Sequence, residues 1–304
     1  METVAKALRI MMAPTTRLAL LIVVACALAG GLVAAGDTEP PEPSPPPEPS
    51  LPLVPKPNER LPRHAKQLAD RLMEVADAAR GSIDEWRDDG TSRGRPPKAV
   101  VHQALFHQRV HRFLAKHRQL ARRTIARLPR RHAKPARHLT AAIRKLGRLA
   151  GPPRRRKFRT GSARPAGVLE RYYRKAQRRF HVRWRVLAAV NLVETVFNRL
   201  RNKSSAGARG PMQFIPATWR QYGMGGNVRD PHDAIMGAAN YLHESGAPGN
   251  YRRALHAYNP SGLYVAAVLR YARHMKGDGY LLLYNWQVFV RTPSGERRLT
   301  GPGR

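Results

Sequence analysis

The chain has 304 residues, enough for one or two domains with cores of their own, and its single cysteine, Cys26, excludes an internal disulfide framework or a multi-thiolate metal site. Lysine and arginine number 55 against 20 aspartate and glutamate, a formal net charge of +35. That imbalance says little about fold but predicts attraction to polyanions: nucleic acid, anionic lipid or anionic wall polymer.

Residues 1–36 read as an export leader. Lys6, Arg9 and Arg17 precede an uncharged apolar stretch from Leu18 to Gly36, and Val33-Ala34-Ala35 supplies the small residues a signal peptidase requires. The same stretch is long enough to stay as a membrane anchor, and Val23-Val24-Ala25-Cys26 also fits a lipobox, although the apolar run continues past Cys26. All three readings place the remainder outside the cytoplasmic membrane, because the positive charges stay inside. Export argues against nucleic acid as a partner. Residues 37–57 are dominated by proline, with glutamate and serine between, and predict an extended spacer.

Residues 58–150 turn helical. Leu61, Ala65, Leu68, Leu72, Val75, Ala79, Ile83 and Trp86 form one apolar stripe, ended by Asp88-Asp89-Gly90 and Pro96-Pro97. A second helix is expected over 98–128 and a third, shorter one carries Leu139, Ile143, Leu146 and Leu149, together a small bundle or coiled coil. No aspartate or glutamate occurs from Gly90 to Leu169, and the stretch closes on a basic linker, residues 151–162, with Arg154-Arg155-Arg156-Lys157. The region reads either as a solvated surface or as a footprint for anionic wall polymer or anionic lipid. His107 and His111 lie one helical turn apart, but no carboxylate or thiol stands nearby to complete a site, so no metal is expected.

Residues 163–279 form a second helical region, with helices expected over 167–180, 183–201, 216–222, 231–245, 251–257 and 263–276. Asp230 before Pro231 reads as an N-cap. In residues 280–304, Leu281 to Arg291 alternates, Pro293-Ser294-Gly295 turns, and Arg297 to Thr300 returns, which predicts a small β-hairpin appendage.

After Gly90 only seven acids remain: Glu170, Glu194, Asp230, Asp233, Glu244, Asp278 and Glu296. Capping, turns, helix ends or a basic helix account for all but Glu194. On a helical wheel Leu187, Val190 and Phe197 share its side, so it lies at the border of the apolar arc. A half-desolvated carboxyl there has a raised pKa and acts as a general acid; alternatively it is a surface glutamate paired with Arg199 or Arg201. Downstream, the run Ser204 to Phe214 begins with small residues and ends on Gly210-Pro211-Met212-Gln213-Phe214, and Ala257-Tyr258-Asn259-Pro260 closes a helix.

In this order and spacing, Glu194-Thr195, Gly210-Pro211-Met212-Gln213 and Ala257-Tyr258-Asn259 resemble the lysozyme-like lytic transglycosylases, the soluble-lytic-transglycosylase or goose-lysozyme-like group, and most closely actinobacterial-type members. The resemblance covers Val186 to Met275, with Thr195 in place of the usual serine and Pro211 in place of leucine. It implies an all-α lysozyme-like catalytic domain acting on peptidoglycan glycan strands, with Glu194 as sole acid and no cofactor. Cleavage after muramic acid would proceed without water to a 1,6-anhydro product. Gln213, Tyr258 and Asn259 would orient the sugars, the Thr195 hydroxyl would bond substrate or Glu194, Gly210 would let backbone approach the ligand, and Met212 and Phe214 would line the groove or the core beneath it. A water-using hydrolase on the same fold, and a wall-binding protein of weak activity, are the competing readings.

Overall fold

Apolar residues at three- and four-residue steps commit most of the chain to helices, and the places where that pattern is capped, broken or overridden set the architecture. The computed structural model describes residues 53–88, 94–150, 157–293 and 295–304. The leader, most of the proline-rich spacer and the Arg154 to Arg156 cluster lie outside the described residues. Among the described residues no helix is long and apolar enough to cross a membrane.

The first region contains α1 (Ala65–Asp88), α2 (Lys98–Lys116), α3 (Arg118–Ala126) and α4 (Arg130–Leu149). The single helix expected over 98–128 is two, broken at His117, which has left the helical region at φ −113°, ψ 83°. The third helix begins at Arg130, nine residues before its first expected apolar position, and contains Pro135. A proline so close to the start removes a hydrogen bond only from the first turns, so the helix tolerates it.

The second region contains α5 (Ala166–Phe180), α6 (Trp184–Thr195), α7 (Pro216–Tyr222), α8 (Pro231–Glu244), α9 (Tyr251–Tyr258), α10 (Gly262–His274) and α11 (Asp278–Tyr284). Asp230 caps α8, accepting from the N–H groups of His232 and Asp233. The strand expected from Leu281 to Arg291 is helix over its first four residues. Tyr280, Leu281, Leu283 and Tyr284 are buried on both sides of α11, and a short continuous apolar run fits a buried helix as well as a strand. The hairpin itself is β1 (Phe289–Thr292) paired antiparallel with β2 (Gly295–Arg298), Phe289 opposite Arg298 and Thr292 opposite Gly295.

These two regions share one core. Ile83, Trp86, Val100, Ala104, Leu139 and Ala142 pack in the same apolar cluster as Leu187, Ala188, Val265, Val268 and Tyr280. Residues Ser50–Arg304 accordingly form one compact unit, and the basic helices are a layer of it. A buried leucine contributes roughly 1.5–3 kcal/mol, so Leu139, 2% exposed, and its neighbours couple the layers strongly. Leu68, Leu72, Val75, Phe106, Val110 and Leu114 make a second cluster between α1 and α2.

Both ends of the unit are stitched to α2. The end of the proline-rich segment is docked: the Leu53 carbonyl accepts from Gln103 Nε2 at 2.8 Å and the Pro55 carbonyl from His102 Nδ1 at 2.9 Å. On the other side, Gln108 and the Gln287 backbone exchange two hydrogen bonds of 2.8 and 2.9 Å, and Glu296 is ion-paired with Arg112 and Lys116. The hairpin is therefore fixed to the first region.

Candidate active site

Helix α6 is apolar almost all round, with Val186 to Leu192 buried in unbroken sequence, so it runs through the core. Glu194 lies in its last turn. The helix stops at Thr195 and not near Arg201 as the pattern suggested, because Val196, Phe197 and Asn198 adopt φ of 50°, 59° and 66° in succession. Left-handed backbone is costly for a β-branched valine and persists only where surroundings enforce it. Here Phe197 is fully buried, and its N–H and that of Val196 bond back to the Asn191 and Leu192 carbonyls. The chain swings away there, so no further helical turn follows Glu194.

Glu194 keeps part of its surface open, while its carboxyl group is enclosed by protein. Burial pushes the carboxyl up to about 7, against a smaller opposing effect of a hydrogen bond from Tyr264. Tyr264, 2% exposed at the start of α10, donates its hydroxyl to Glu194 Oε1 at 2.7 Å. The ion pair with Arg199 or Arg201 does not form. Arg199 donates to the Val196 carbonyl and lies over the Tyr284 ring, and Arg201 donates to the carbonyls of Asn198 and Ser162. The other late acids find ordinary roles: Glu170 pairs with Arg174, Asp278 with Arg87 and Glu296 with Arg112, Asp233 accepts from the Asn227 N–H, and Glu244 is exposed.

Thr195, expected to bond substrate or Glu194, is buried, and its hydroxyl is used inside the protein. It donates to the Pro211 carbonyl at 2.7 Å and accepts from the Asn198 N–H at 2.9 Å. It thus ties the end of α6 to the loop that follows. In that loop Arg209 and Phe214 pair as an isolated bridge around a tight turn, with Gly210 at φ 74° and Gln213 at φ 52°. A Cβ at Gly210 would lie 1.8 Å from the Val228 carbonyl oxygen, so only glycine lets the two loops meet.

Met212 and Phe214 are both buried and face the core. The Met212 sulfur accepts from Asn191 Nδ2, and Phe214 packs edge-on against Trp219 and Tyr258. Gln213 is half-buried, its amide nitrogen directed to the Gly210 and Asn202 carbonyls at 3.0 and 3.3 Å. The Tyr258 hydroxyl donates to the Met212 carbonyl at 2.6 Å, which joins the end of α9 to the same loop. The nearby Glu194 carboxyl helps hold the Tyr258 phenol well above its usual range, after burial. Asn259 is half-buried at the C-terminal cap of α9. Tyr258, Tyr241 and Tyr222 follow one another, with ring centroids 5.5 and 4.5 Å apart, all partly exposed.

Hydrogen bonding thus brings Glu194, Thr195, Met212, Gln213 and Tyr258 around two adjoining loops, and adds Tyr264, which the sequence reading missed. Its only sequence signal was a second tyrosine six residues beyond Tyr258, on the first turn of the next helix.

A carboxyl poised near neutrality and steadied by a phenol, on a residue that keeps part of its surface open, can give up a proton or take one. Residues 171–280 match the family model described as the transglycosylase SLT domain. No curated protein and no solved structure gives a significant match to the chain. The matched segment contains Glu194, the 210–214 turn, Tyr258 and Tyr264, and it supports a peptidoglycan-cleaving function of the lytic-transglycosylase type.

Proposed function

We propose that the protein is an exported peptidoglycan lytic transglycosylase that cleaves the β-1,4 bond after N-acetylmuramic acid and releases 1,6-anhydro ends. The observation that carries this reading is the setting of Glu194: burial pushes its carboxyl up to about 7, no cation among the described residues pairs with it, and one oxygen is bonded to Tyr264. Among the described residues no second carboxylate contributes to its shift, so the chemistry is assigned to one carboxyl and not to the pair most glycosidases use.

Protonated Glu194 donates to the glycosidic oxygen as the bond to the muramic C1 breaks. The resulting carboxylate, stabilised by the Tyr264 hydroxyl, then accepts the proton of the muramic C6 hydroxyl. That oxygen closes on C1, and Glu194 ends protonated as it began. Gln213 and Asn259 are assigned to bond acetamido and hydroxyl groups, as the family resemblance implies. The partly exposed faces of Tyr222, Tyr241 and Tyr258 suit the apolar faces of sugar rings.

Incubating the full chain with purified peptidoglycan and analysing the muropeptides by mass spectrometry tests the proposal. Products with anhydro ends, absent with Glu194→Gln, support it; reducing ends assign a hydrolase, and no products with intact wall binding assign a binding protein. Export is proposed on the leader sequence, and the acid-free basic stretch from Gly90 to Leu169 is proposed to face anionic wall polymer or lipid.

A further inference from the structure

Beside the Glu194 loop lies an open recess of about 1050 Å³ whose charge the proposed reaction does not use. Arg159, Arg164, Arg201, Lys203, Arg209 and Arg229 line it, and among the described residues none of the six is ion-paired. The one acid among its lining residues, Asp230, already accepts from two N–H groups at the start of α8. Pro165, also on the wall, is the residue just before α5, whose N-terminus has no side-chain cap and adds a positive dipole end. Surfaces ordinarily mix charges of both signs, and six exposed cations around one hollow attract an anion to it.

The recess adjoins the acid through shared residues. Asn198 and Gly210 are on its wall. The N–H of Asn198 and the carbonyl of Pro211, next to Gly210, both bond the hydroxyl of Thr195, the residue after Glu194. A ligand in the recess therefore lies against the loops that hold the acid. In the proposed substrate the muramic sugar next to the broken bond bears a peptide with free carboxylates, and guanidinium forks match carboxylates in bidentate geometry.

We infer that this recess binds the carboxylate-bearing peptide stem of the glycan strand, so that the protein distinguishes stem-bearing from bare strands; the inference rests on the proposed function. Lys203 and Arg229 are exposed, and their side chains take no part in the hydrogen bonds that shape the acid site. The test compares the full-length wild type with a Lys203→Gln/Arg229→Gln variant on glycan strands with stems intact and with stems removed by an amidase.

The expected result is a KM for stem-bearing strands about tenfold higher in the variant, the size of a lost charge-assisted contact, with the KM for bare strands unchanged. Equal wild-type KM values on both strands, or an equal rise on both, would overturn the inference. So would competition by a soluble phosphodiester polymer that exceeds competition by the free stem peptide. If the wild type cleaves neither strand, the functional reading fails. Binding of labelled stem peptide, wild type against variant, then still decides the recess.

Discussion

The basic helical layer and the segment that matches the transglycosylase family both bury titratable groups, and in both burial favours the neutral form, with opposite consequences. Between α2, α4 and α10 the imidazoles are driven down. Burial takes His107 to about 3 and His274 to about 4, and His111 falls well below its usual range. His107 and His111 meet through their Nε2 atoms at 3.2 Å, and His111 Nδ1 meets the Thr140 hydroxyl. Such groups do not titrate near pH 7. On α6 the same physics moves a carboxyl upward from 4.5 to about 7, into the working range. Burial of an ionisable group is therefore no sign of function by itself; the sign of the shift relative to neutrality separates a silent group from a poised one.

The sharpest way to break the comparison is to remove one layer. Deleting Asn58 to Lys157 strips Ile83, Trp86, Val100, Leu139 and Ala142 from the shared core. The expected outcome is loss of cooperative unfolding and of soluble protein, read by circular dichroism and calorimetry. A well-folded, active remainder would show the layers to be independent.

Next in size is Glu194→Gln. Glycan cleavage should fall by about three orders of magnitude or more, as expected when the sole acid cannot donate. Stability should move the other way. The folded pKa lies above the ordinary value, so the Glu194 contribution is full below about 4.5 and is lost as pH rises through about 7. Gln carries no charge, so at pH 8 the variant should be more stable by about 3 kcal/mol, a gain that shrinks toward pH 5. Thermal melts at the two pH values measure it.

A smaller effect is expected of Tyr264→Phe. It removes the bond that favours the ionised carboxyl, so the alkaline limb of the pH–rate profile should shift upward while kcat falls about tenfold to a hundredfold. An unshifted limb would leave Tyr264 a purely structural residue. The smallest effect concerns the silent side. His107 has a lowered folded pKa, so its contribution to stability is present above about 6.5 and is lost as pH falls toward about 3. His107→Phe should flatten the decline of Tm between pH 6 and pH 4 and leave the pH–rate profile at neutrality unchanged.

Apart from the end of α6, expected six residues too late, the helices of residues 166–274 were readable because capping and apolar spacing agree there, as at Asp230-Pro231 and along α10. Glu194 was readable as a carboxyl at the edge of an apolar arc. Its partner was not, because Tyr264 is 70 residues away and hydrogen bonds between distant residues leave no periodicity. The break at His117 was invisible, since no glycine or proline marks it, and α4 runs through Pro135, upstream of the apolar positions by which that helix was expected. The sharing of one core between the two regions was also hidden: an amphipathic stripe states that a face is buried, not against what.

The docked stretch from Leu53 to Glu59 has a mechanical consequence. A pull arriving from upstream of Leu53 is met first by the bonds of Leu53 to Gln103, Pro55 to His102, and Glu59 to Arg71 and Arg109. All four partners belong to α1 or α2, and none to the helix bearing Glu194. Tension along the chain would spend itself peeling that strap before it bent α6, so the geometry of the acid is insulated from load.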